Sequence, residues 1–185
     1  DIGNGAIMIA WSSLEKDITD WLEDLGEKTT DDTAKFFADS YASAVTAGAD
    51  PLMNAVIDPG KEAAIEQAWK SSFAAQAKSD TPLGIPIWTP VASAIVLYWT
   101  GALFQFSTPH PGTVTGVSNL VTVPGAPPPL AAAIDTAFKQ EEAPKVAKEL
   151  VNGYKNHLST VNGLFTGLIP PLASTPLPVP WVGIK

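Results

Sequence analysis

The chain of 185 residues carries 19 acids and 11 bases, a formal charge of −8, and no cysteine. That length suits one domain, or a compact domain with an extended arm, and is enough to bury a substantial core. The acidic balance argues against a nucleic-acid binder, which needs a basic face to displace counterions from phosphate, and the missing thiols exclude disulfides, thiolate catalysis and cysteine-based metal sites. At 16% charged residues the chain is poorer in charge than the roughly 25% usual for soluble domains, so part of its surface is expected to face protein or lipid rather than water.

The chain opens on Asp1, as a processed or mature fragment would, and DIGNGAIMIAW lacks the basic region of a signal peptide. A helix is predicted from Ile7 to Leu25, because Ile7, Trp11, Leu14, Ile18, Trp21, Leu22 and Leu25 recur at three- and four-residue steps. Asp17, Asp20 and Asp24 fall on its opposite side and read as a solvated face rather than a cation site. A second helix is predicted to begin at Thr29–Asp32, an acidic variant of the capping box in which each residue satisfies the other's backbone. Phe36, Phe37, Tyr41 and Val45 form its core face. The segment ADPLMNAV reads as a turn into a short helical piece, with Pro51 in a first turn. A third helix is predicted from Asp58–Pro59 to about Lys78, burying Ala64, Ile65, Ala68, Trp69, Phe73 and Ala77.

From Thr81 to Ile134 there is no Asp, Glu, Lys or Arg. The first part, Leu83 to Phe106, is apolar and aromatic, and about 20 apolar residues can span a bilayer. Pro82, Pro86 and Pro90 shorten the clean helical portion to 90–106, and no Lys or Arg flanks it to set an orientation. A buried core or interface helix is therefore expected, with a membrane-associated helical protein as the alternative. Thr89–Pro90 reads as cap and first turn, and Val91, Ile95, Val96, Tyr98, Trp99, Leu103 and Phe104 surround the helix on nearly all sides. Thr113 to Val123 is β-branched and broken by Gly116, which predicts a short β-hairpin or an extended loop.

Leu130 to Gln140 is predicted helical. Ala143–Pro144 opens a last helix carrying Val146, Leu150, Tyr154, Leu158 and Phe165. Gly153, Gly163 and Gly167 each weaken it by roughly 1 kcal/mol unless a neighbouring backbone approaches closely there. The five prolines of PPLASTPLPVPWVGIK forbid a helix and predict an extended, apolar arm, suited to docking on a neighbouring subunit or to packing back on its own domain. The expected class is mainly α: a helical bundle over 1–169, with an uncharged hairpin or loop insertion at 107–129, and a Pro-rich arm over 170–185.

The chemistry-bearing residues do not converge. His110 lies between prolines, and His157 lies in the last predicted helix without an acid four residues away; both read as lone surface or loop histidines. No nucleophile elbow, phosphate loop or dinucleotide fingerprint is present. Glu141–Glu142 are adjacent, about 100° apart on a helix, and so do not face one another. A ring of Trp69, Trp88 and Trp99 could line a small-ligand pocket in a helical bundle, although aromatic spacing of this kind more often marks core. The expectation is a protein that is not an enzyme and has no metal or cofactor.

The lines FFADSYASAVTAGADPLMNAV, YWTGALFQF with TPHPGTVTGV, and PLPVPWVGIK give the chain a resemblance to virion structural proteins of contractile-tailed bacteriophages, those of the baseplate, neck or tail. The resemblance implies a location in the virion, many symmetric copies, and partners that are other virion proteins and copies of the chain itself. Subunit contacts are expected at Trp88, Val114 and Val117 near or within the uncharged insertion, and at Leu177, Val179 and Trp181 in the arm.

Overall fold

A computed structural model describes residues 11–47, 53–56, 59–106, 118–123, 125–167 and 177–182, with side chains over 11–45, 60–102 and 125–162. The described chain is mainly helical. Six helices follow in order: α1 (Trp11–Glu23), α2 (Thr30–Ala47), α3 (Pro59–Gln76), α4 (Ile85–Trp99), α5 (Pro127–Phe138) and α6 (Ala143–Ser159). Short turns join α1 to α2, α3 to α4 and α5 to α6, which makes each pair an antiparallel hairpin. Each helix packs on the next, and α6 packs back on α1, so the six close into a ring.

Local chemistry explains most of the boundaries. At the start of α2 the Thr29 N–H donates to Asp32 Oδ2 (2.9 Å) and the Asp32 N–H donates to Thr29 Oγ1 (3.1 Å), the reciprocal cap expected from sequence. These bonds to Thr29 hold the Asp32 carboxyl below its ordinary range. Two glycines in the left-handed region, Gly84 and Gly101 (φ 73° each), bracket α4. That helix starts a turn earlier than Thr89–Pro90 predicts: Pro86 occupies the first turn and Pro90 lies inside. It also stops at Trp99, short of the predicted Phe106. The three prolines that open α5 occupy positions whose N–H groups have no partner within the helix, so proline costs little there.

The interior of the ring is aromatic. Trp69 and Trp99 are fully buried and Trp88 is 4% exposed. Trp88 stacks on Phe138 of α5 (4.7 Å between centroids), while Phe37 of α2 meets Trp69 of α3 (4.9 Å). Tyr41 of α2 joins two more helices, accepting a hydrogen bond from Trp99 Nε1 (2.8 Å) and packing on Tyr154 of α6 (4.8 Å). Rings of this size bury the most apolar area per residue, and their contacts add specificity beyond area. The tryptophans thus pack against other rings as core, which removes the pocket that Trp69, Trp88 and Trp99 might have lined.

The backbone outside the helices includes five short strands: β1 (Met53–Val56), β2 (Leu103–Phe106), β3 (Ser118–Val123), β4 (Asn162–Gly167) and β5 (Leu177–Val182). They pair antiparallel in chain order, with β1 and β5 at the edges. None of the five contains Asp, Glu, Lys or Arg. Met53–Val56 is therefore a strand rather than a short helical piece, and the last helix ends at Ser159 instead of continuing to Phe165. In both places strand pairing overrides the helical periodicity read from sequence. Of the predicted hairpin or loop, Ser118–Val123 is β3 and 113–117 lie outside the described residues. Of the predicted arm, Leu177–Val182 pairs with β4 of the same chain; Pro178 and Pro180 occur on this edge strand, where a missing N–H is tolerated.

Candidate functional site

Among the described residues the titratable side chains are dispersed over the helices. Among the described residues no group of three His, Asp or Glu side chains could hold a metal ion. Tyr41 and Tyr154 are pushed well above the ordinary phenol range by burial, so neither is poised to take or give a proton. Glu141 and Glu142 are exposed at the α5–α6 turn, and Glu142 pairs with Lys145 at 2.5 Å. Asp39 of α2 pairs with Lys35 at 2.9 Å and neighbours Glu62 of α3. Burial, then the Asp39 carboxyl, raises the Glu62 carboxyl from its ordinary value. This network ties α2 to α3 at a half-exposed seam, a structural role.

His157 corrects the sequence reading. It is 5% exposed rather than a surface residue, because it lies on the inner side of the last turn of α6. A cleft of about 570 Å³ opens beside it between α5 and α6, lined by Gly125, Pro129, Leu130, Asn156, His157 and Thr160. The Ser159 and Thr160 hydroxyls there donate to the Asn156 and His157 carbonyls (2.7 Å each), and no charged side chain lines the cleft. Nearby, α5 and α6 touch closely at Gly153, where a Cβ would lie 2.7 Å from the Ala133 Cβ. Gly153 thus meets the condition for a tolerable mid-helix glycine. His110 lies outside the described residues.

The surface of the ring is divided by charge. Helices α1 and α2 together hold seven acids and two bases, and the turn between them adds Asp24, Glu27 and Lys28. On α3, Lys70 pairs with Asp31 at 2.5 Å and Glu62 neighbours Asp39, both towards α2, while Lys61 reaches the other way and donates to the Thr100 carbonyl at the C-terminal end of α4. The exposed α3 positions Ala63, Ala64, Gln67 and Ser71 are small and neutral. Next comes α4, which has no charged residue. Its inner side buries Trp88, Val91, Ile95 and Trp99. Its outer side presents Ile85, Thr89, Ser93 and Leu97 at four-residue steps, an uncharged stripe of about 18 Å at 1.5 Å per residue. Leu97 is 57% exposed, Ile85 44% and the adjoining Leu83 42%. On α5, Pro128, Pro129 and Thr136 are exposed and neutral; its acid, Asp135, is buried and paired with Lys139 at 2.6 Å.

The residues predicted at subunit contacts fare differently. Trp88 belongs to the core of its own ring and offers no surface to a neighbour. Val114 and Val117 lie outside the described residues. Leu177, Val179 and Trp181 all occur in β5, at an edge of the sheet. The expectation of a buried core or interface helix does not single out Leu83, Ile85 and Leu97, because a helix apolar on nearly every side gives no sign in sequence of which side is left exposed. Among the described residues no helix is long and apolar enough to cross a membrane. No family model matches the chain, and neither curated proteins nor solved structures show similarity to it.

Proposed function

We propose that the chain is a structural component of an assembly, a bacteriophage virion in particular, and acts by making subunit contacts rather than by catalysis. The observation that carries this reading is the outer side of α4. A single domain at this charge would cover a solvent-facing helix with Asp, Glu, Lys or Arg, yet this one exposes Ile85 and Leu97 in a stretch of chain without a formal charge. The uncharged strands and the apolar, Pro-rich arm extend the same theme, and the resemblance of YWTGALFQF and PLPVPWVGIK to contractile-tail components supplies the virion context. Its partners are then other virion proteins and copies of itself.

The test is removal of Pro170–Lys185, followed by circular dichroism and by assay of incorporation into particles. The truncated chain is expected to keep its helical signal and to stay out of particles that the full chain enters. Normal incorporation overturns the role of the arm. A full chain that sediments apart from any particle overturns the virion reading.

A further inference from the structure

We infer that the cleft between α5 and α6 is a binding site for a neutral ring compound that carries a hydrogen-bond donor, an O–H or N–H. The inference goes beyond the assembly role and does not depend on it.

The cleft is framed by two contacts that leave no room for a methyl group. The helices meet at Gly153, where a Cβ would lie 2.7 Å from the Ala133 Cβ. The turn before α5 meets α6 at Gly125, where a Cβ would lie 2.5 Å from His157 Nε2. Gly125 also holds φ at 88°, a conformation that favours glycine. Beside these contacts the two helices leave about 570 Å³, within the range of small-molecule sites.

The lining selects the ligand. Pro129, Leu130 and Ala133 of α5 form an apolar wall, which suits the face of a ring. From α6 and its C-terminal turn come Asn156, Ser159 and Thr160, beside the buried His157. The Ser159 and Thr160 hydroxyls give their protons to the Asn156 and His157 carbonyls (2.7 Å each), so these two oxygens have only lone pairs left to offer. Donors are scarce on the α5 side. Pro127, Pro128 and Pro129 delete three of the four N–H groups that a helix start leaves unpaired, and with them the usual attraction of such an end for anions. A ligand that donates therefore fits better than one that only accepts. It is neutral, because no charged side chain lines the cleft to match a charge buried against Leu130.

Proton NMR of the full chain reads binding directly, because it holds two histidines and His110→Gln assigns the His157 imidazole. Titration with phenol should move the His157 signals along a saturating curve. A dissociation constant in about the millimolar range is expected for a ligand with so few atoms. Anisole, a similar ring without the donor, should bind about tenfold more weakly, and so should benzoate and benzylammonium. The double variant Ser159→Ala, Thr160→Val removes both acceptors and should weaken phenol to the level of anisole, with circular dichroism checking the fold. Ser159→Ala alone, an exposed change, should weaken phenol in the same direction and serves if the double variant unfolds. No saturable shift up to about 10 mM phenol overturns the inference. So does anisole matching phenol, a charged ring binding more tightly than phenol, or variants that bind phenol as the wild type does.

Discussion

The α1–α2 side of the ring and the outer side of α4 are built on the same aromatic interior but treat solvent in opposite ways. On α1 and the first half of α2 the exposed turns carry carboxylates, and these are partly matched by lysines at helical spacing, as in Lys16 with Asp20 and Lys35 with Asp39. Such exposed pairs add little stability; their effect is to keep that face in water. On α4 the exposed positions are Ile, Pro, Thr and Leu, residues that gain nothing from water and are not required by the core beneath them. The difference shows that the fold and the surface are specified by separate residues on the same helices. Trp88 and Leu97 lie two and a half turns apart on α4, one closing the core and the other left outside it.

Substitutions sharpen the contrast in order of size. The largest effect belongs to the shared interior: Trp69→Ala removes a fully buried ring that packs on Phe37, Phe73, Trp88 and Phe138. It should cost about 3–5 kcal/mol in denaturant unfolding. A loss below about 1 kcal/mol would mean that the two sides do not share one core. On the charged side, Thr29→Ala deletes the side-chain half of the cap of α2 and should cost about 1 kcal/mol. Because Thr29 depresses the Asp32 carboxyl, the stabilisation is present above the ordinary carboxylate range and is lost as pH falls through the depressed folded value. The variant should therefore also unfold with less dependence on acid than the wild type.

On the uncharged side, Leu97→Lys should leave monomer stability within about 0.5 kcal/mol, the range of surface changes. A larger loss would place Leu97 in the core and dissolve the distinction. The smallest effect is at the α2–α3 seam. Burial and Asp39 raise the Glu62 carboxyl, so the ionised group disfavours the fold above its raised folded value, and the penalty is relieved as pH falls through it. Glu62→Gln should stabilise the chain slightly at neutral pH, by a few tenths of a kcal/mol after solvent screening, and flatten its response to mild acid. Unfolding curves at neutral and mildly acidic pH check both effects.

Much of the ring was legible in the sequence. The apolar steps through Leu14 and Ile18, the Thr29–Asp32 cap and the Trp69 spacing identify α1, α2 and α3 because each is a local pattern. Two classes of feature were not legible. Strands β1, β2 and β4 carry no alternation that competes with helical periodicity, and they form because distant segments pair. The Thr89–Pro90 signal misplaced the start of α4, since a proline early in a helix and a proline at its first position look alike without the Gly84 conformation. The candidate contact was legible in part: the missing charge between Thr81 and Ile134 is a sequence fact. Which of those residues face outward depends on how α3 and α5 flank α4, and that is a property of the ring.

The complete absence of cysteine allows the central claim to be probed at a single position. Ser93→Cys places one thiol at the middle of the uncharged stripe, and Lys148→Cys places one on α6. Under mild oxidation the Ser93→Cys chain should form a covalent dimer in high yield while the Lys148→Cys chain stays monomeric. Equal yields from the two, or linkage through α6 alone, would contradict the reading of the outer side of α4 as a subunit contact.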